Sequence, residues 1–339
     1  MGDMEDPDFD ELMRTFDEQL SRLFMNDAAL ATLDLKGKYI RGEGFRIRVA
    51  KKIVVKRRFV LAESVRKLAA ALLDNTSLHT LHLREHGIGD SGIKALMEAL
   101  NVNNSLTTLT LTAFNNPIAY AIHGISRKGV RALAGMLRVN DTLTTLDIHG
   151  HGHEFGDEGA NLFAEALKRN ATLTTLNIGQ NKISSQGVRL LAKVLKTNRT
   201  LTTLVLVNNH IGDKGANHLA EVLQVNTTLT SVELGEHSGI TPVGLKALQD
   251  ALQKNMSLTT FGFTDRLMTG FPEMQAILAS NISRVQRWNR RKSFLMFLYF
   301  EEFNLLESSG DVYTVHHIDS PITEVFFCKD LDRFLCSFL

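Results

Sequence analysis

Leucine recurs in this chain at a fixed beat. Leu30, Leu78, Leu106, Leu143, Leu173, Leu201, Leu229 and Leu258 are separated by 48, 28, 37, 30, 28, 28 and 29 residues, a base period of 28. In a second series Ile40, Ile88, Ile125, Phe155, Ile183, Ile211 and Ile240 each stand four residues ahead of a glycine, from Gly44 to Gly244. A third, Leu100, Leu137, Leu167, Leu195, Leu223 and Leu252, falls eight residues after that glycine and six before the next leucine of the first series. One unit is legible in Thr172 to Asn198. Leu176 and Ile178 share one side of a short strand, Asn181 marks a turn, and Val188, Leu191, Val194 and Leu195 form one stripe of a helix. A strand joined to a single helix leaves apolar surface bare on both. Only copies stacked side by side cover it, so the period demands a solenoid.

Helix and return turn are locked in length, and extra residues enter between strand and helix. There are nine before Ile125, two before Phe155, one before Ile240, and a 20-residue insertion at 44–63. The pattern L-x-x-L-x-L-x-x-N-x-I-x-x-x-G, carried by Leu201, Leu204, Leu206, Asn209, Ile211 and Gly215, resembles the leucine-rich repeat of the ribonuclease-inhibitor subtype over residues 28–263. The resemblance implies an α/β fold: a leucine-rich-repeat solenoid, or horseshoe, with a parallel concave sheet and outer helices. It also implies a scaffold that holds other proteins. The chain departs from the pattern in its first repeat, which carries the insertion, in the third, which lacks a clean Asn turn, and in the eighth, where Phe261 and Phe263 replace leucine. Three parts are expected: an acidic N-terminal capping helix at 1–27, repeats at 28–263, and a helical C-terminal cap or extension at 264–339.

With 339 residues, 44% of them apolar and 22% charged, the chain can bury a large core, and five prolines argue against disordered linkers. A net charge of +1 exerts no global pull toward nucleic acid or membrane. Cys328 and Cys336, the two cysteines, cannot make a disulfide framework. No apolar run near the start resembles a signal peptide and none is long enough to span a membrane. A cytoplasmic monomer is expected, with the nucleus as the other compartment.

Strand alternation names a candidate binding face. Asp34, His82, Thr110, Asp147, Asn177, Val205, Glu233 and Gly262 lie between the inward residues of successive strands and point into the concavity, flanked by Thr80, Thr108, Thr145, Thr175 and Thr203. Eight strands about 4.8 Å apart span roughly 35 Å. Three outward residues on each give about 24 side chains, within the roughly 20–30 per side of a standard protein interface. No cofactor is expected. His149, His151 and His153, beside Asp147 and Glu154, form a weak candidate metal site, without a Cys partner. No phosphate-cradling glycine loop, nucleophile elbow or zinc-protease helix is present, so an enzyme is not expected.

Other features admit two readings each. Residues 1–27 hold nine acids against Arg14 and Arg22, with Phe9, Leu12, Phe16, Leu20 and Leu23 at helical spacing. They form an end cap or a partner-binding helix. The insertion 44–63 carries seven Lys or Arg against one Glu, interleaved with apolar residues. It is a tolerated loop or a contact for nucleic acid, acidic lipid or an acidic protein surface. The loop 112–124, with Phe114, Ile118, Tyr120 and Ile122, is a rim contact or folds back on its neighbours. Asn75, Asn103, Asn140, Asn170, Asn198, Asn226 and Asn255 stand three residues before each strand leucine with Ser or Thr two residues on. They read as left-handed helix ends and not as glycosylation sites. The last stretch, 320–339, resembles the first half of an F-box, which would make the chain a substrate adaptor of a ubiquitin ligase; a packed helix explains the same residues. A GTPase-activating protein of the leucine-rich-repeat type is a further alternative, implied by the resemblance alone.

Overall fold

A computed structural model describes residues 14, 18–36, 65–84, 88–112, 125–150, 155–235, 238–263 and 272–287, without the side chains of 34–36 and 84. The basic insertion 44–63, residues 113–124 of the apolar loop, His151 and His153, and the F-box-like stretch 320–339 lie outside the described residues. The chain divides into two compact units, Met1–Arg284 and Val285–Leu339, and the repeats all belong to the first.

Eight strands, β1 (Thr32–Lys36), β2 (Thr80–Arg84), β3 (Thr108–Thr112), β4 (Thr145–Asp147), β5 (Thr175–Asn177), β6 (Thr203–Val205), β7 (Ser231–Glu233) and β8 (Thr260–Gly262), form one open sheet in chain order. Every pairing is parallel, and equivalent residues of successive repeats stand side by side. Residues 65–73 are helical between β1 and β2, and six helices connect β2 through β8: α1 (Gly89–Leu100), α2 (Arg127–Leu137), α3 (Gly156–Leu167), α4 (Ser185–Leu195), α5 (Gly212–Leu223) and α6 (Pro242–Leu252). Each packs on the next in sequence. Leu81, Leu109, Leu146, Leu176 and Leu204 make one buried row beneath the sheet, Leu83, Leu111, Ile148, Ile178 and Leu206 a second, and the helix stripes close over them in one continuous core. Burying each such side chain contributes about 1.5–3 kcal/mol relative to leaving it in water. A helical stretch lies at each end of the described repeats. Leu20 and Leu23 of the stretch 18–24 are buried at one end; Met274 and Leu278, on the helical stretch that starts at 272, are buried at the other.

The asparagine column is buried, and its backbone is not left-handed: the described non-glycine residues with positive φ are Asn26, Gln180, Lys182 and Asn208. This corrects the sequence reading, and the hydrogen bonds give the reason. Asn226 Nδ2 donates to Leu195 O at 2.7 Å and Asn198 O at 3.2 Å, both in the preceding repeat. Its Oδ1 accepts the N–H groups of Thr228 at 2.9 Å and Leu229 at 2.8 Å. Asn103, Asn140, Asn170 and Asn255 bridge in the same way, and Asn281 carries the ladder into the C-terminal helix by donating to Asn255 O and Leu258 O. Each amide helps to satisfy helix-end carbonyls and turn N–H groups in the buried turn, where the Ser or Thr two residues on adds a second donor to some of the carbonyls. A parallel ladder runs through the first threonine of each Thr-Thr pair. Thr144, Thr174 and Thr202 donate Oγ1 to the carbonyls of Thr107, Thr144 and Thr174, each at 3.1 Å.

Helix starts alternate between two kinds. α2, α4 and α6 follow the extended caps Ser126, Ser184 and Thr241, whose hydroxyls accept the N–H of Lys128, Gln186 and Val243. α1, α3 and α5 follow Ile88, Phe155 and Ile211 with no side-chain cap, and open on a glycine that turns the chain with positive φ, +61° at Gly212. Their Asp serves the next helix instead. Asp157 Oδ1 accepts from the N–H of Ser184 at 2.7 Å and of Gly187 at 2.9 Å, while Oδ2 accepts from Ser184 Oγ at 2.6 Å. Asp90 binds Ser126 and Gly129 in this way, and Asp213 binds Thr241 and Gly244. The real structural unit is therefore a pair of repeats, uncapped helix first.

Candidate functional site

One face of the sheet carries the helices; the other is open among the described residues. Its middle row runs Asp34, His82, Thr110, Asp147, Asn177, Val205, Glu233, Gly262, neighbour against neighbour by strand register. All the expected face residues thus come together in one line, although the side chain of Asp34 lies outside the described residues. The flanking row, Thr80, Thr108, Thr145, Thr175, Thr203, Ser231 and Thr260, is in register too. His82, Asp147, Asn177, Val205 and Glu233 are half-buried, while the leucines between the two rows are fully buried. Thr110 is the buried member of the row: His82 Nδ1 and Thr110 Oγ1 are 2.8 Å apart.

The face has two chemical halves. From β2 to β5 it is polar. His149 is turned onto Asp147, with Nδ1 at 2.6 Å from Oδ1, and its own N–H donates to the same oxygen at 3.1 Å. Asn177 lies 3.3 Å from His149 Nδ1 and accepts the N–H of Gly179 at 3.0 Å. From β6 to β8 it is apolar and low. Val205 and Val207 stand half-exposed, and glycines flank Val207: a Cβ at Gly179 would meet its Cγ2 at 2.7 Å, and one at Gly235 its Cβ at 3.1 Å. Glu233 is the charged residue of this half and leans over Gly262, where an added Cβ would stand 2.7 Å from Glu233 Cγ. Val207 was missed in the sequence because it follows the short strand. The i, i+2 step from Val205 is the signal that points to it.

Of the weak metal candidates, His149 is committed to Asp147, and His151 and His153 lie outside the described residues. Among the described residues no group of three or more His, Cys, Asp or Glu side chains could hold a metal ion. Nor, among them, is any helix long and apolar enough to cross a membrane.

Stacked strand-turn-helix units with a buried leucine lattice and an open parallel sheet define a leucine-rich repeat protein. The leucine-rich repeat family model matches four segments, residues 74–97, 169–192, 197–220 and 225–248, each within the described repeats. Among solved structures the chain is similar to leiomodin-1 actin-binding site 2, with 25% identity and a TM-score of 0.39, over 41% of this chain and 81% of that one. No curated protein sequence matches. Repeats of this family serve in general as non-enzymatic modules that bind other proteins.

Proposed function

We propose that the chain is a non-catalytic scaffold that holds a folded partner protein against the open face of its sheet, along the row Asp34, His82, Thr110, Asp147, Asn177, Val205 and Glu233, with the strand-to-helix loops at its rim. One observation carries the reading. Residues of seven successive repeats stand in a single register row, and His82, Asp147, Asn177, Val205 and Glu233 of that row are half-exposed directly above a core that is fully closed. A rigid, pre-arranged row of that length lowers the ordering cost of binding. Its mixture of a polar half and an apolar half suits a partner surface with both. The ribonuclease-inhibitor-like subtype is part of the same reading, supported by α-helices rather than irregular segments behind the strands.

The test is affinity co-purification with Asp147→Lys and Glu233→Lys combined, against a control carrying Arg189→Glu and Lys193→Glu on the outer face of α4. Loss of the co-purifying proteins with the first variant and retention with the second is expected, both proteins melting as the parent does. Equal recovery with both variants overturns the assignment of the face.

A further inference from the structure

Five large apolar side chains stand in water on the first four turns that lead a helix to the next strand. Phe24 is 60% exposed, Met25 82%, Leu73 50%, Val102 65% and Val139 64%. The turns are bonded into a stack. Asn75 Nδ2 donates to Leu23 O, Asn103 Nδ2 to Leu72 O, Asn140 Nδ2 to Leu100 O and Asn170 Nδ2 to Leu137 O. Asn26 Oδ1 also accepts the N–H groups of Thr76 and Ser77. Leu23, Leu72, Leu100 and Leu137 hence hold one place in four consecutive turns. Phe24 stands beside Leu73, and Met25 shares the next place with Asp74, Val102 and Val139. The five make a continuous diagonal stripe. It stops where the same two places hold Lys168 and Arg169.

We propose that this stripe is the contact face of a two-fold dimer of this chain, in place of the monomer expected from the sequence. With whole-residue surfaces of about 150–250 Å² for side chains of this size, the exposed fractions amount to about 600 Å², at the upper limit for patches on monomeric proteins. Two copies would bury at most about 1,200 Å² through these residues, the lower end of specific, stable interfaces. The stripe is also self-complementary. Leu73 lies near its middle, Phe24 and Met25 at one end, Val102 and Val139 at the other. A two-fold axis between the Leu73 and Val102 turns sets Phe24 and Met25 of one copy on Val139 of the other, and Leu73 on Val102. Charge agrees. Exposed Asp74 sits in the first half, whereas Arg138, Lys168 and Arg169 outnumber Asp141 at the far end. Antiparallel placement brings the half that holds Asp74 onto the half that holds Arg138; parallel placement would set like on like.

Sedimentation velocity of the full chain, between about 1 and 100 µM where an interface of this size dissociates, tests the proposal. A concentration-dependent shift from monomer to dimer is expected. Leu73→Asp with Val102→Asp, both outside the core, should keep the parent melting temperature and remain monomeric throughout. Arg138→Glu should weaken the dimer about tenfold, and adding Asp74→Arg to the same chain should restore it. A parent protein that stays monomeric over the whole range overturns the proposal, as does a dimer indifferent to the Leu73 and Val102 changes. A dimer that the charge exchange fails to restore overturns the antiparallel arrangement.

Discussion

Asn226 accounts for a polar residue that recurs at a buried position. Its amide is the partner of four backbone groups in two repeats, of which Asn198 O also accepts from Thr228 Oγ1 at 3.4 Å. Asn226→Ala should therefore destabilise the fold by about 2–4 kcal/mol, since backbone donors and acceptors are left buried without partners. Urea unfolding measures it, and a loss under half a kilocalorie would contradict the ladder. The same burial keeps these sequons from a glycosyltransferase once the chain is folded. The column itself was legible in the sequence; its chemistry was not, because the acceptors lie about 30 residues upstream and periodicity is silent on where an amide points. Asp213 offers a second residue-scale test. The N–H of Thr241, then its hydroxyl, and the N–H of Gly244 hold the Asp213 carboxyl below the ordinary carboxylate range, against the opposing effect of its partial desolvation. A depressed folded-state value means stability that is present above the unfolded pKa and lost as the pH falls through the folded one. Asp213→Asn should flatten the decline in unfolding free energy below about pH 4 and leave its slope near neutrality unchanged.

At the scale of the element, strands and helices were readable because both periodicities are strict: Leu-x-Leu alternation for the one, and apolar steps of three and four after each glycine for the other. The glycine of each repeat is fixed by packing. At Gly159 a Cβ would lie 2.6 Å from Phe155 Cγ and 2.7 Å from Phe155 Cβ, and the Phe155 ring is held against Phe163 at a centroid distance of 5.7 Å. Alanine favours a helix by about 1 kcal/mol over glycine, yet overpacking of a fixed ring costs about 1–3 kcal/mol. Packing should win. Gly159→Ala is expected to lower the melting temperature, whereas Gly135→Ala, where nothing stands within 4 Å of the added Cβ, should raise it slightly. What the sequence concealed is the alternation of helix starts. Asp157 and Ser184 look like ordinary surface residues until the fold brings them to 2.6 Å, and a search for one repeated unit averages the two kinds together.

For the whole molecule, the positions of the open-face row were legible from strand alternation, since register in the parallel stack follows from the constant six-residue return from helix to strand leucine. Its finer chemistry was not: burial of Thr110 under His82, the turn of His149 onto Asp147, and the apolar half around Val207 depend on side-chain packing between neighbouring strands. The pairing of repeats has a consequence for the stack as a unit. Removing the 28 residues from Asn170 to Thr197 would place α3 beside α5, so Asp157 would meet Ile211 and Gly212 with no hydroxyl to bind. Removing the 56 residues from Asn170 to Val225 would place α3 beside α6, where Thr241 and Gly244 offer Asp157 the same three donors that Ser184 and Gly187 now give it. Solenoid stability is close to a sum of repeat and interface terms. Were all interfaces alike, the longer deletion would cost twice the shorter one. With a lost cap and charge-assisted bonds together worth about 2–3 kcal/mol, the single deletion should instead cost clearly more than half of what the double deletion costs. Urea unfolding of the two shortened chains against the parent decides it, and a single deletion costing half or less would show that the repeats are interchangeable one by one.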